Sequence, residues 1–187
     1  LWSDIGKDPP IMNSLAKTDE LFFERAGLDR DRVERTVAEA LQGMDDGELF
    51  LEYCQSEAIS FDDGRIRSAS FDTAHGFGLR AVADEATGYA HASDLSEPAI
   101  TRAASVVQAV RAGHTGTLAA PPAPTNRRLY TDENPLGGEP FESKVKLLAD
   151  IDAYARKKDT RVNQVMASLS GQWQAGYILC PDCYRLA

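Results

Sequence analysis

From Thr18 onward apolar residues recur at helical spacing, with Leu21, Phe22 and Ala26 on one side and Gly27 where a helix C-cap belongs. A second helix is predicted from Asp29, which can cap it, with Val33, Val37, Ala40 and Leu41 on the buried face and Gly43 at its end. The period then changes from helical to strand-like. Glu48 to Tyr53 sets Leu49, Leu51 and Tyr53 on one face. Ala58 to Phe61 and Ile66 to Phe71 flank Asp62-Asp-Gly-Arg65, and an Asp-Gly pair between alternating runs predicts a hairpin. Phe77 to Ala83 and Gly88 to His91 add two strands around the turn-rich Asp84-Glu-Ala-Thr87. The pattern predicts an antiparallel meander of about five strands.

Ser96, followed by Glu97 and Pro98, opens a helix expected to reach about Ala112, with Ile100, Ala103, Ala104, Val107 and Val110 facing the core and Gly113 stopping it. A long amphipathic helix is predicted from about Pro140 to Lys158, its buried stripe made of Phe141, Val145, Leu148, Ile151 and Ala155. Two strands should follow, Val162 to Leu169 and Trp173 to Leu179, with Ser170-Gly171 as their turn. Helices and strands occur in blocks, so the expected class is α+β, an antiparallel meander sheet packed against amphipathic helices. The organisation read from these blocks is a disordered extension over 1–17, helices plus meander over 18–113, a Pro/Gly-rich connector over 114–138, and a helix with a strand hairpin over 139–187, the start of a truncated remainder. The extension begins at Leu1 and carries Pro9-Pro10, and Met12 reads as a natural start. The connector holds Pro121, Pro122 and Pro124, which exclude a helix there.

Composition narrows the function classes. Of 187 residues 43% are hydrophobic, enough to bury a core and to exclude wholesale disorder. The formal net charge of -9 repels phosphate backbones, and no basic stripe stands out against it. Lys144, Lys146 and Arg156-Lys-Lys158 lie beside Asp150, Asp152 and Asp159 and read as a solvated helix face. No apolar run reaches the roughly 18 residues of a membrane helix, and the N-terminus lacks a signal-type apolar core. Three cysteines suit a reducing compartment, so a soluble cytoplasmic protein is expected, with no direct nucleic-acid or membrane partner.

Candidate chemistry is sparse. His75, His91 and His114 are far apart and none has a second histidine one helical turn away, so none is assigned as a metal ligand. Cys180-Pro-Asp-Cys183 could chelate half a zinc site or close a disulfide ring, but one pair lacks two further ligands, and Cys54 lies out of phase on an upstream strand. Gly76-Phe-Gly-Leu-Arg-Ala81 enters a strand, so its amides serve a sheet and not a phosphate. Catalytic, cofactor-binding and metal residues are therefore read as none.

Asp46-Gly-Glu-Leu-Phe-Leu-Glu52, Phe61-Asp-Asp-Gly-Arg-Ile-Arg-Ser-Ala-Ser-Phe71, Gly76-Phe-Gly-Leu-Arg-Ala-Val82 and Gly88-Tyr-Ala-His-Ala-Ser93, in that order, resemble the N-terminal domain of the TldD/PmbA family of metallopeptidases, historically labelled modulators of DNA gyrase. The likeness runs from about Met12 to about Trp173. It implies a cytoplasmic peptidase subunit that pairs with a PmbA/TldE-like subunit, or with itself, and cleaves peptides in an enclosed cavity. The family's zinc ligands, a His-Glu-x-x-x-His helix and a later cysteine, belong to its C-terminal domain, and nothing here matches them. No catalytic or metal residue carries over, and zinc is expected only in the full-length family protein. On this reading the chain is inactive alone and supplies cavity walls and subunit contacts. The alternatives are a stand-alone interaction module binding the PmbA/TldE-like partner, and a thiol-based redox or metal-handling protein using Cys180 and Cys183. A free sheet edge could also capture an extended peptide as an added strand.

Overall fold

The computed structural model describes residues 17–111, 133–180 and 183–186. Residues 1–16 of the expected extension, most of the connector and His114 fall outside these residues, while Lys17, the last residue assigned to the extension, is helical. The described chain is α+β, with a five-stranded sheet in the order β3-β2-β1-β4-β5. The strands are β1 (Asp46–Asp62), β2 (Arg65–Ala83), β3 (Ala86–Ala92), β4 (Met166–Cys180) and β5 (Cys183–Leu186). The helices are α1 (Arg30–Leu41), α2 (Glu97–Val107) and α3 (Phe141–Lys158), preceded by a π-helical turn, Glu20–Glu24.

The helix ends follow the sequence. Asp29 accepts a hydrogen bond from the Arg32 amide at 3.1 Å, Ser96 Oγ accepts one from the Ala99 amide at 3.3 Å, and each caps its helix. Gly27 and Gly43 hold positive φ after the first two helical segments.

The strands are longer than the period-2 runs suggested. The four runs expected between Glu48 and Ala83 are two continuous strands, because the residues between them contain no proline or turn dipeptide to end a ladder. The hairpin between them stands where expected, with Asp63 at φ 50° and Gly64 at φ 78°, the doubly left-handed turn that matches strand twist. The second expected hairpin is absent, since β4 passes through Ser170-Gly171 unbroken. Gly171 is needed for packing instead, as a Cβ there would sit 2.7 Å from Leu136 Cδ2.

The chain forms two compact units, each discontinuous in sequence. The first comprises 1–53, 75–128 and 175–187, and the second 54–74 and 129–174. In the first, Leu49, Leu51, Leu79, Ala81 and Tyr177 from the strands are buried along with Val37 and Leu41 of α1 and Ile100 and Val107 of α2. Phe23 meets Tyr177 edge to face with centroids 5.5 Å apart, and Arg30 covers both rings. Gly88 gives α2 its approach to β3, because a Cβ there would lie 3.1 Å from Val107.

In the second unit Ile59, Phe61 and Leu148 form the core, with Val145, Ala149, Ala167 and Leu169 packed against it. Side-chain pairs Gln172 with Cys54 and Gln164 with Asp62 show β4 numbers rising as β1 numbers fall, the mark of an antiparallel pair. The predicted stripe of α3 is corrected here. The helix buries Lys144, Leu148 and Asp152, while Phe141 and Ile151 are 46% and 44% exposed. Ionic partners make this rotation tolerable. Lys144 Nζ donates to both Glu57 carboxylate oxygens at 2.6 and 2.9 Å and to the Leu136 carbonyl at 2.7 Å. Asp152 accepts from Arg156 Nε at 3.0 Å, and Arg156 also reaches Asp63. The solvated-face reading therefore fails for Lys144 and Asp152 and holds for Lys146, which pairs with Asp150 in the open.

Candidate functional site

The residues flagged for chemistry do not converge. His75 and His91 are exposed on β2 and β3, and His91 stacks on Tyr89 with centroids 5.6 Å apart. Cys54 is a free, half-buried thiol on β1 whose sulfur accepts from Gln172 Nε2 at 3.0 Å. Cys180 is disulfide-bonded and stands opposite Cys183 in the last rung of the β4–β5 ladder. Among the described residues no group of three His, Cys, Asp or Glu is placed to hold a metal ion. The donor set among the described residues does not fit a zinc centre.

The glycine-rich run is structural, as its entry into a strand implied. A Cβ at Gly76 would lie 2.7 Å from the Ala92 carbonyl, and one at Gly78 would lie 2.6 Å from the Tyr89 hydroxyl, so these glycines admit the β3 backbone and the Tyr89 ring.

Charge is organised into pairs. Arg80 on β2 donates from Nε to Glu48 Oε1 at 2.6 Å and from Nη2 to Asp46 Oδ2 at 2.5 Å. The hydrogen bonds that Arg80 donates to Glu48 first and Asp46 second raise its pKa above the ordinary arginine value. Between α1 and α2 lies a shallow polar groove of about 200 Å³ lined by Arg32, Thr36, Glu39, Glu97 and Thr101. Arg32 and Glu97 pair along it at 3.3 Å. A groove below the roughly 300–1,000 Å³ of small-molecule sites, with Arg32 and Glu97 already paired across it, reads as a helix junction and not a ligand pocket.

Among the described residues one feature with unspent bonding capacity is the edge of β2. Residues 65–75 are exposed on both faces. β3 pairs with β2 only from Phe77 to Ala83, and β1 lies on the other side. Among the described residues no strand covers the outer edge of 65–75, where every second residue turns its N–H and C=O outward. Ile66 and Phe71 on it are 44% and 58% exposed. Periodicity missed this edge because Asp72-Thr-Ala-His75 carries no apolar alternation. The signal available was the absence of any proline or turn dipeptide between Phe71 and Gly76.

Comparison with known proteins gives this arrangement a context. Residues 47–113 match the family model described as PmbA/TldA metallopeptidase domain 1. The chain is 33% identical over 146 residues to a metalloprotease TldD homolog of Haemophilus influenzae, covering 75% of this chain and 30% of that protein. It is 30% identical over 132 residues to a TldD homolog of Buchnera aphidicola from Schizaphis graminum, covering 70% and 27%. The chain thus spans about 30% or less of these relatives' length. Two solved structures share the fold. One, described as a candidate modulator of DNA gyrase from Bacteroides thetaiotaomicron, has a TM-score of 0.62 at 16% identity over 84% of this chain and 38% of that one. The other, TldE from Thermococcus kodakarensis, has a TM-score of 0.54 at 19% identity over 83% and 36%. These matches show that residues 47–113 of the chain are a first domain of the PmbA/TldD metallopeptidase family.

Proposed function

We propose that this chain is the N-terminal, non-catalytic portion of a TldD-like zinc metallopeptidase subunit acting in cytoplasmic proteolysis or peptide maturation. Its task is to build cavity walls and subunit contacts, with a PmbA/TldE-like protein as partner and peptides as substrates of the full-length protein. The observation that carries this reading is the domain-1 match over residues 47–113 on a chain covering only 30% of its TldD relative. The long edge of β2 that no described strand covers supports the contact role, since an edge strand offers a polypeptide a row of backbone donors and acceptors at no refolding cost.

The test is zinc content and peptide hydrolysis of the purified 187-residue chain, together with co-purification with the PmbA/TldE-like subunit. The expected outcome is zinc well below one per chain, no cleavage, and capture of the subunit. Tight zinc binding lost in His75→Ala or His91→Ala, or peptide cleavage by this chain alone, overturns the reading.

A further inference from the structure

We propose that Cys180 and Cys183 are a reversible thiol–disulfide pair, a redox modification site whose closure clasps β5 to the end of β4 and whose opening releases it. The inference is independent of the peptidase reading above.

The pair is identified by elimination. The sequence has three cysteines, Cys180 is disulfide-bonded and Cys54 is a free thiol, which leaves Cys183 as the partner. The ladder agrees, since Cys180 stands directly opposite Cys183 in the last rung. Opposed residues of an antiparallel pair have Cα atoms about 4.5–5.5 Å apart, inside the roughly 4.4–6.8 Å that a disulfide spans. Cys180 is half-buried and not enclosed in the core, so a small reagent has access to it.

Two features make the bond reversible. Only two residues separate the cysteines, and the stabilisation from a cross-link grows with the logarithm of the loop it closes, so a ring this small is a weak staple. The ladder also sets the two positions opposite each other, so reclosure is an intramolecular step at high effective concentration. Closure is an exchange with a low-molecular-weight disulfide of the glutathione class. One cysteine thiolate attacks a sulfur of that disulfide and expels a small thiolate; the second attacks the protein-bound sulfur of the mixed disulfide and expels the other. The two protein thiols lose two electrons and two protons, and the reagent takes up both as a pair of thiols.

β5 is the element that such a bond governs. It has four residues, ends the sheet and, among the described residues, pairs with β4 alone. Tyr177 and Leu179 of β4 are buried in the first unit, so β4 keeps its place when the bond opens. β5 then relies on four rungs of one ladder, and pairing that short is marginal in water.

The test equilibrates the full 187-residue chain in buffers of graded glutathione to glutathione-disulfide ratio, then quenches, alkylates and digests it for mass spectrometry. Alkylation of Cys180 and Cys183 should disappear together in one two-electron transition as the buffer becomes oxidising, while Cys54 stays alkylated throughout. Amide hydrogen exchange in the same buffers reads the clasp. Exchange over 183–186 should be on the order of tenfold faster in the reduced chain, the factor that loop-closure entropy gives for a ring this small, with Leu49, Leu51 and Leu79 unchanged. Cys183→Ser should exchange at the reduced rate in every buffer, and the comparison of oxidised with reduced wild type decides the matter even where that variant fails to fold. A bond from Cys180 to Cys54, thiols that stay open or a disulfide that stays closed across the whole series, or exchange over 183–186 indifferent to redox state overturns the proposal. Zinc content and capture of the PmbA/TldE-like subunit are separate readouts, so this inference and the proposed function fail separately.

Discussion

At the scale of single residues the most consequential side chain is Lys144. Its ammonium is 10% exposed and held by Glu57, itself 15% exposed, with the Leu136 carbonyl as a third partner. Truncating one member of such a pair strands the other charge in a poorly solvated place, which typically costs about 3 kcal/mol, whereas replacing both by apolar groups of similar volume is often neutral. Lys144→Ala should therefore lower stability in urea unfolding by about 3 kcal/mol. The double variant Lys144→Met with Glu57→Leu should recover most of that loss. Recovery no better than the single variant would show that Leu136, and not Glu57, is the partner that matters.

At the scale of elements, glycines decide how closely strands and helices approach, and neighbouring glycines are not equivalent. A Cβ at Gly47 would meet the Arg80 carbonyl at 2.7 Å, a backbone atom held in the sheet. A Cβ at Gly78 would meet the hydroxyl end of Tyr89, which is 60% exposed and free to swing away. Gly47→Ala should cost about 1–3 kcal/mol by overpacking. Gly78→Ala should cost less than Gly47→Ala, because only the exposed Tyr89 side chain has to shift to admit the methyl group. Thermal melts of the two variants give the ordering, and equal losses would contradict it. The same distinction governs what could be read from the chain. Caps at Asp29 and Ser96 and the Asp63-Gly64 turn were legible because they depend on local backbone chemistry. The unbroken run of β4 through Gly171 was not, because that glycine answers to Leu136, a residue distant in sequence. Nor was the rotation of α3, since a helical pattern counts Lys144 and Asp152 as polar and cannot see Glu57, Arg156 and Asp63 waiting for them. The candidate edge of β2 was half legible: Ile66 to Phe71 alternated visibly, while the polar continuation to His75 depends on pairing with β1.

At the scale of the whole molecule, charge sets the choice of partners. A formal net charge of -9 and arginines mostly committed to carboxylates leave little to neutralise phosphates, whose release of counterions drives non-specific DNA affinity. Despite a structural relative described by reference to DNA gyrase, this chain should not raise the fluorescence anisotropy of labelled duplex DNA at about 0.15 M salt. Saturable binding that weakens steeply with added salt would contradict the expectation.

The path of the chain through its two units limits how the protein can be dissected. The first unit is assembled from three stretches and the second from two, and β1, β2 and β4 each change membership partway along. Removing residues from the C-terminus back past Gln174 takes a strand from the first unit before it shortens the second. No terminal deletion can isolate either one, so a fragment that loses activity or solubility reports on both. Point substitutions and grafts confined to 54–74, a stretch that leaves the first unit and returns to it as one hairpin, are the changes that address a single unit at a time.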